Sequence, residues 1–179
     1  MFWFLAVLST IGFGLNYVFI TKLVRDLPSF QSIAYRGFGL AITIAPFLLL
    51  VPREQFLQIP YYLPQILGGS FFTTLSLWLY FKVIKSIPLG IASSLRSGFG
   101  VVIIALLGIL ILQNQISHIH WTFILTIIFT NLYLGFSKSD TSHLITVKNS
   151  TSFILSILSG VSFALGYFMM MKVSQEFSP

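Results

Sequence analysis

The chain has 179 residues, of which 56% are hydrophobic and 8% are charged, and its mean hydropathy is +0.92. Soluble domains carry about 25% charged residues, so this composition excludes a soluble globular fold and predicts an integral membrane protein. The net charge of +6 does not indicate nucleic-acid binding, because the basic residues are scattered singly and form no patch. There is no cysteine, which excludes disulfides and thiol chemistry.

Long runs rich in Leu, Ile and Phe predict an all-α, multi-pass helical bundle and not a barrel of alternating strands. Six apolar segments have the length of membrane-spanning helices, at residues 2–20, 30–51, 62–84, 89–112, 121–136 and 151–171. The turn at 85–88 is short, so the third and fourth helices are predicted to be antiparallel neighbours. A loop is predicted at 52–60, and the longest polar stretch, 137–150, is predicted to be a linker.

The first and sixth segments resemble one another. When residues 2–22 are aligned with residues 152–172 without a gap, seven positions are identical, including Ser9 with Ser159, Phe13 with Phe163 and Lys22 with Lys172. This match predicts one five-helix repeat at 1–136, the linker at 137–150, and the first helix of a second repeat at 151–179. Five is an odd number of helices, so the second copy enters the membrane in the opposite sense, which is an inverted repeat.

Several features occur together in the first repeat. Gly12 and Gly14 form a small pair in the first helix, Lys22 closes it, Pro28 follows, and Arg36 lies near the start of the second helix. The third and fourth helices meet at a tight turn that continues into the sequence Ile-Pro-Leu-Gly-Ile-Ala-Ser at 87–93. In their order and spacing these features resemble the EamA-like drug/metabolite transporter superfamily, whose members have ten helices in two five-helix repeats.

The resemblance implies a carrier of the cell membrane (inner or plasma) that moves a small polar or amphipathic metabolite across the lipid bilayer by alternating access. It implies no cofactor and no enzymatic activity. A ten-helix member would have four more helices, so the chain is interpreted as a fragment, a truncated reading frame or part of a split transporter that pairs with a complementary half or a second copy. The alternative is a non-transporting membrane fragment or helper subunit that packs against a partner.

Basic residues are the first candidates for a substrate site. Lys22, Arg36 and Arg96 all lie toward the same membrane face if successive helices alternate in direction. Arg96 lies about 12 Å from its helix end at 1.5 Å per residue, where a charge needs water or a partner. These three residues are therefore predicted to line a cavity for an anionic or zwitterionic substrate. Alternatively, Lys22 and Arg36 extend to the lipid head groups, and Arg96 binds carbonyls at a helix end.

Uncharged polar and aromatic residues inside the helices complete the candidate site. Asn16, Thr73 and Ser94 are predicted to line the cavity, and Trp78 is predicted to form an aromatic wall. The alternatives are hydrogen bonds between helices for the polar residues and anchoring at the membrane interface for Trp78. The two histidines at 118 and 120 have no third ligand nearby in sequence, so no metal site is predicted.

The orientation in the membrane stays open at this point. All four acidic residues fall in connectors, so this chain offers no carboxylate within a helix for proton coupling. The excess of Lys and Arg in the loops after the first, third and fifth helices places the N-terminus outside the cell. The family resemblance implies the opposite orientation, with a cytoplasmic N-terminus.

Overall fold

The computed structural model describes residues 7, 21, 24–48, 53–112, 117–136 and 150–177. Five helices lie within these ranges, and no strand does. They are α1 (Ser29–Leu48), α2 (Arg53–Ile84), α3 (Leu89–Leu112), α4 (His118–Phe136) and α5 (Ser150–Phe177). They correspond to the second through sixth predicted helices. The first predicted helix lies outside the described residues, apart from Val7.

The prediction of an all-helical membrane bundle is confirmed. Within the described ranges, three helices have the length and hydropathy of membrane spans, at Phe56–Ile84, Leu89–Ile111 and Thr151–Met171. Large apolar side chains face outward, such as Phe30 at 75% and Leu110 at 76% exposed. Such exposure suits contact with lipid and would be unfavourable in water. The fold is thus a bundle whose outer surface matches a bilayer.

The loop predicted at 52–60 is wrong, because α2 begins at Arg53 and continues through Pro60 and Pro64. A proline removes one backbone hydrogen bond and strains the turn before it, so it disfavours the interior of a helix. Two isolated prolines do not outweigh the remaining bonds of a 32-residue helix. The helix therefore extends nine residues before the predicted start at residue 62.

The central helix of the bundle is α5. It packs most extensively against α2 and next against α3, whereas α2 and α3 touch one another only slightly. The turn that joins α2 to α3 is tight, with the Ser86 and Ile87 amides donating to the Val83 carbonyl. Side chains of α2 and α3 contact one another directly near this turn, and α5 packs against both helices.

Small residues allow α5 to approach its two neighbours closely. A Cβ on Gly166 would lie 2.6 Å from Oγ1 of Thr73 and 2.9 Å from the carbonyl oxygen of Gly69. A Cβ on Gly160 would lie 2.8 Å from the carbonyl oxygen of Arg96. Both glycines are needed for this spacing, because any side chain would push the backbones apart. Contacts of this kind drive helix association in lipid, where the hydrophobic effect does not.

The apolar core lies at the end of the bundle where α2 turns into α3. Its largest fully buried side chains are Tyr80, Phe81, Ile84 and Leu95, and Val24 from the segment before α1 joins them. Lys85 also donates from Nζ to the carbonyl oxygen of Leu27 at 2.6 Å, which ties this segment to the turn. The turn end of the bundle is consequently better packed than the outer face of α1, where most residues are exposed.

We expect Gly160→Ala and Gly166→Ala to destabilise the bundle by about 1–3 kcal/mol, because the added methyl group overlaps backbone atoms of α3 or α2. Gly90→Ala is the matched control, because this helical glycine has nothing within 4 Å of a built Cβ. There, alanine is expected to be neutral or to stabilise the helix by about 0.5–1 kcal/mol. Unfolding in a detergent titration measures all three variants, and equal effects at the three sites would contradict the close approach.

Candidate functional site

A pocket of about 410 Å³ lies between α1 and α2 and is bordered by the end of α5. One face of α1 and one face of α2 line it, each with residues at the helical spacing i, i+3, i+4 and i+7. Met170 of α5 completes the described wall. The lining residues of the two helices are Ile33, Arg36, Gly37 and Leu40 on α1 and Ser70, Thr73, Thr74 and Leu77 on α2.

Arg36 is the one charged residue among the described residues of this pocket, which we call the Arg36 pocket. Its side chain is half-buried, and its Nε and Nη1 atoms are shielded from solvent. Thr73 donates from Oγ1 to the Gly69 carbonyl at 2.8 Å, so its hydroxyl can present only oxygen lone pairs to the pocket. Thr73 lies about 16 Å along α2 from Ile84, well inside the span. The pocket thus offers a cation and hydroxyl groups at membrane depth.

Arg96 lies in a different place, inside the interface of α2, α3 and α5. It is 6% exposed, and its guanidinium carbon lies 4.8 Å from the ring centroid of Tyr80 and 4.7 Å from that of Phe163. Its Nε donates to the Ser76 hydroxyl at 3.1 Å. Two aromatic faces and a hydroxyl therefore stabilise the charge in the interior, where the cation–π attraction is stronger than in water.

Ser76 joins Arg96 to a reciprocal pair of serines. The Ser76 hydroxyl donates to the Ser159 carbonyl at 2.8 Å, and the Ser159 hydroxyl donates to the Ser76 carbonyl at 2.8 Å. Both serines are fully buried. Next to them, the Tyr80 hydroxyl lies 2.6 Å from Oγ of Ser93. This network connects α2, α3 and α5, and Arg96 is one of its members.

Arg36 and Arg96 approach α2 at a similar position along its axis, but on neighbouring faces of the helix. The Arg36 pocket includes Thr73 and Leu77, and Arg96 contacts Ser76 and Tyr80. In the structure, Arg96 contacts hydroxyl groups and aromatic rings. The alternative predicted from the sequence was that Arg96 binds carbonyls at a helix end. That Arg96 binds substrate stays a prediction, as does the same role for Arg36 and Thr73.

The other predicted site residues are dispersed. Ser94 is exposed and lines a second depression, between α3 and α4. Trp78 carries the ammonium group of Lys82 over its ring at 3.6 Å and is not among the described residues of either depression. Asn16 and Lys22 lie outside the described residues. Of the five predicted positions that the structure describes, only Arg36 and Thr73 are brought together in one pocket.

Sequence reasoning did not identify the partners of Arg96. Ser76, Ser159 and Phe163 are common residue types, and nothing in the sequence links Ser76 to Ser159, which is 83 positions later. A signal was present in α5, where serines recur at 152, 156 and 159 with helical spacing. All three are buried, so this spacing marks the face of α5 that packs against α2 and α3.

Comparison with protein families decides the family of this bundle. The EamA-like transporter family matches residues 2–135, about three quarters of the chain. The chain belongs to the EamA-like transporter family. No curated protein and no solved structure matches the chain. The suspected resemblance is thus confirmed at the level of the family, and membership indicates a transporter-like protein of a membrane.

We expect Ser76→Ala to destabilise the EamA-family bundle by about 1–3 kcal/mol, because it removes the acceptor of Arg96 Nε and leaves the Ser159 carbonyl without this donor. Ser159→Ala is expected to have a smaller effect, since the Arg96–Ser76 bond is retained. Ser86→Ala, at an exposed turn position, is the matched control. Detergent unfolding measures the series, and a loss no larger at Ser76 than at Ser86 would contradict the network.

Proposed function

We propose that this EamA-family chain takes part in transport of a small polar or amphipathic metabolite by alternating access, and that the Arg36 pocket is part of its substrate site. The observation that carries the proposal is the placement of Arg36 in a cavity between helices, opposite Thr73 of the candidate membrane span Phe56–Ile84. A charge beside a membrane span is costly, and such residues commonly face a substrate path. The cavity of about 410 Å³ is large enough for a small metabolite.

The charge of the pocket favours an anionic or zwitterionic substrate. Its described lining contains one guanidinium, three hydroxyl residues and apolar side chains, with no carboxylate. A carboxylate of the substrate would be attracted by the positive charge of Arg36, because a charged partner strengthens a hydrogen bond to a carboxylate. A cationic substrate would be repelled. The hydroxyls of Ser70 and Thr74 supply further hydrogen bonds for the polar groups of the substrate.

The limited packing of α1 against the other described helices supports alternating access. Within the described part of the chain, this helix packs against α2 far less extensively than α5 does, and most of its described side chains are exposed. α2, α3 and α5 are joined by close glycine contacts and buried hydrogen bonds. Movement of α1 relative to this rigid unit would open and close the Arg36 pocket with little loss of packing.

A helper subunit is the second candidate function, and the exposed face of α1 favours it. Tyr35 at 63%, Phe38 at 70% and Ile42 at 60% exposed form an apolar surface that suits either lipid or a partner helix. A chain of this kind would pack against a partner and would not move a substrate. Transport measured with this chain as the sole protein in a vesicle separates the two candidates.

We expect vesicles that contain the chain to take up succinate or threonine faster than choline, because Arg36 attracts carboxylates and repels cations. Arg36→Gln is expected to reduce uptake of succinate or threonine by about tenfold or more, and Arg36→Lys by less, because lysine keeps the charge but not the paired donors. Arg25→Gln, an exposed arginine just before α1, is the matched control and should have no effect.

The measurement is uptake of radiolabelled solute, with empty vesicles as the baseline. Uptake equal to that of empty vesicles for all three solutes would favour the helper subunit. Uptake that persists unchanged in Arg36→Gln would exclude the Arg36 pocket from the substrate path while leaving transport itself intact.

A further inference from the structure

A second depression, of about 350 Å³, lies between α3 and α4. We call it the hydroxyl groove. Its α3 wall has the spacing i, i+3, i+4 and i+7, and its α4 wall consists of two pairs of neighbouring residues one turn apart. The lining residues are Ser94, Ser97, Gly98 and Val101 on α3 and Thr126, Ile127, Thr130 and Asn131 on α4. Four hydroxyls and one carboxamide thus converge on one depression.

Asn131 is the decisive residue. It is 4% exposed, and its carboxamide makes no hydrogen bond to any of the residues that the structure describes. The amide nitrogen rests against Gly98, where a Cβ would collide with it. The missing side chain of Gly98 therefore makes room for the carboxamide. A carboxamide in so confined a position has little room for water, and a ligand that enters the groove can complete its hydrogen bonds.

The hydroxyls of the groove differ in their availability. Thr126 donates its hydroxyl to the Thr122 carbonyl at 2.8 Å, so only the oxygen lone pairs remain for a ligand. Ser94, Ser97 and Thr130 are exposed, and none of them makes a side-chain hydrogen bond within the described part of the chain. Val101 and Ile127 add an apolar wall. The groove thus provides donors, acceptors and a place for an apolar group.

Charge separates the hydroxyl groove from the Arg36 pocket. None of the described residues that line the groove is charged, whereas a guanidinium dominates the pocket. The two depressions also use different helices, α3 and α4 for the groove, and α1, α2 and α5 for the pocket. An ion that entered the groove would lose its hydration without gaining an opposite charge, so the groove selects against ions.

We propose that the hydroxyl groove is a binding site for a small uncharged molecule that carries a carboxamide group. A carboxamide pairs with the Asn131 carboxamide by two reciprocal N–H···O bonds, while the serine and threonine hydroxyls bind its remaining donor and acceptor positions. An apolar group next to the carboxamide packs against Val101 and Ile127. This site does not depend on transport through the Arg36 pocket.

A docked transmembrane helix is the competing occupant. Serine, threonine and glycine are also found where helices approach closely in lipid. The burial of Asn131 favours a small molecule, because a helix presents a broad surface and a residue that is 4% exposed can be reached only by a group that enters the groove. Either occupant could bond the Asn131 carboxamide, so a direct test of access is required.

The absence of cysteine in the chain makes this test simple. Ser97→Cys places one thiol in the groove, and Leu125→Cys, which is 49% exposed on the opposite side of α4, is the matched control. Each full-length variant in vesicles is treated with a water-soluble methanethiosulfonate, with and without benzamide or benzoate. Benzamide carries a carboxamide on an apolar ring, and benzoate has the same shape with a negative charge.

We expect the thiol at position 97 to react and benzamide to slow its reaction about fivefold or more, whereas benzoate leaves the rate unchanged. Asn131→Leu and Asn131→Asp, each added to Ser97→Cys, should raise the benzamide concentration needed for protection about tenfold or more. The thiol at position 125 should show no protection. Two variants at Asn131 are used because the aspartate keeps the size of the amide if the leucine variant fails to fold.

Three results would overturn the proposal. Benzoate that protects as well as benzamide would show that the groove does not select an uncharged carboxamide. Protection that survives both Asn131 variants would remove the residue on which the site depends. A disulfide between two copies at position 97, together with an unreactive thiol, would show that a second copy of the chain covers the groove as a docked helix.

Discussion

The close approach of α5 to α2 and α3 is the constraint on which the rest of this bundle depends. Lipid provides no hydrophobic drive for helix association, so contacts between backbones and buried hydrogen bonds must hold the helices together. Gly160 and Gly166 allow the approach, and the reciprocal bonds between Ser76 and Ser159 fix its register. A larger residue at these positions would separate α5 from both neighbours and leave the polar groups of the interface facing lipid.

The same approach explains how Arg96 is tolerated inside the bundle. Tyr80 belongs to α2 and Phe163 to α5, so the two aromatic faces that enclose the guanidinium are brought together only when these helices pack. Ser76, which accepts the hydrogen bond of Arg96, is also one of the two serines that join α2 to α5. The burial of the Arg96 charge and the packing of the helices consequently depend on each other, so a substitution that disturbs one also disturbs the other.

The polar side chains of the bundle therefore lie in separate regions, one that contains a charge and one that does not. The Arg36 pocket combines a cation with hydroxyls beside α1, which packs only slightly against α2 among the described residues. The hydroxyl groove has no charge among its described lining residues and contains a buried carboxamide at a fixed position. The unit of α2, α3 and α5 contributes walls to both depressions. Under the two proposals, an anion and an uncharged carboxamide bind at different faces of this unit.

The sequence by itself determined the class of the protein, the family and the positions of the described helices, because apolar runs of spanning length are a strong local signal. Even there, α2 began earlier than predicted, at Arg53, and it contains two prolines. Arg36 and Thr73 were recognised as candidates, but only the tertiary structure placed them in one pocket. It also showed that Arg96, Ser94 and Trp78 lie outside that pocket. Such assignments depend on which strip of each helix faces which neighbour. That is decided by contacts between residues far apart in the chain, such as Ser76 with Ser159 and Gly98 with Asn131, which local sequence patterns do not contain.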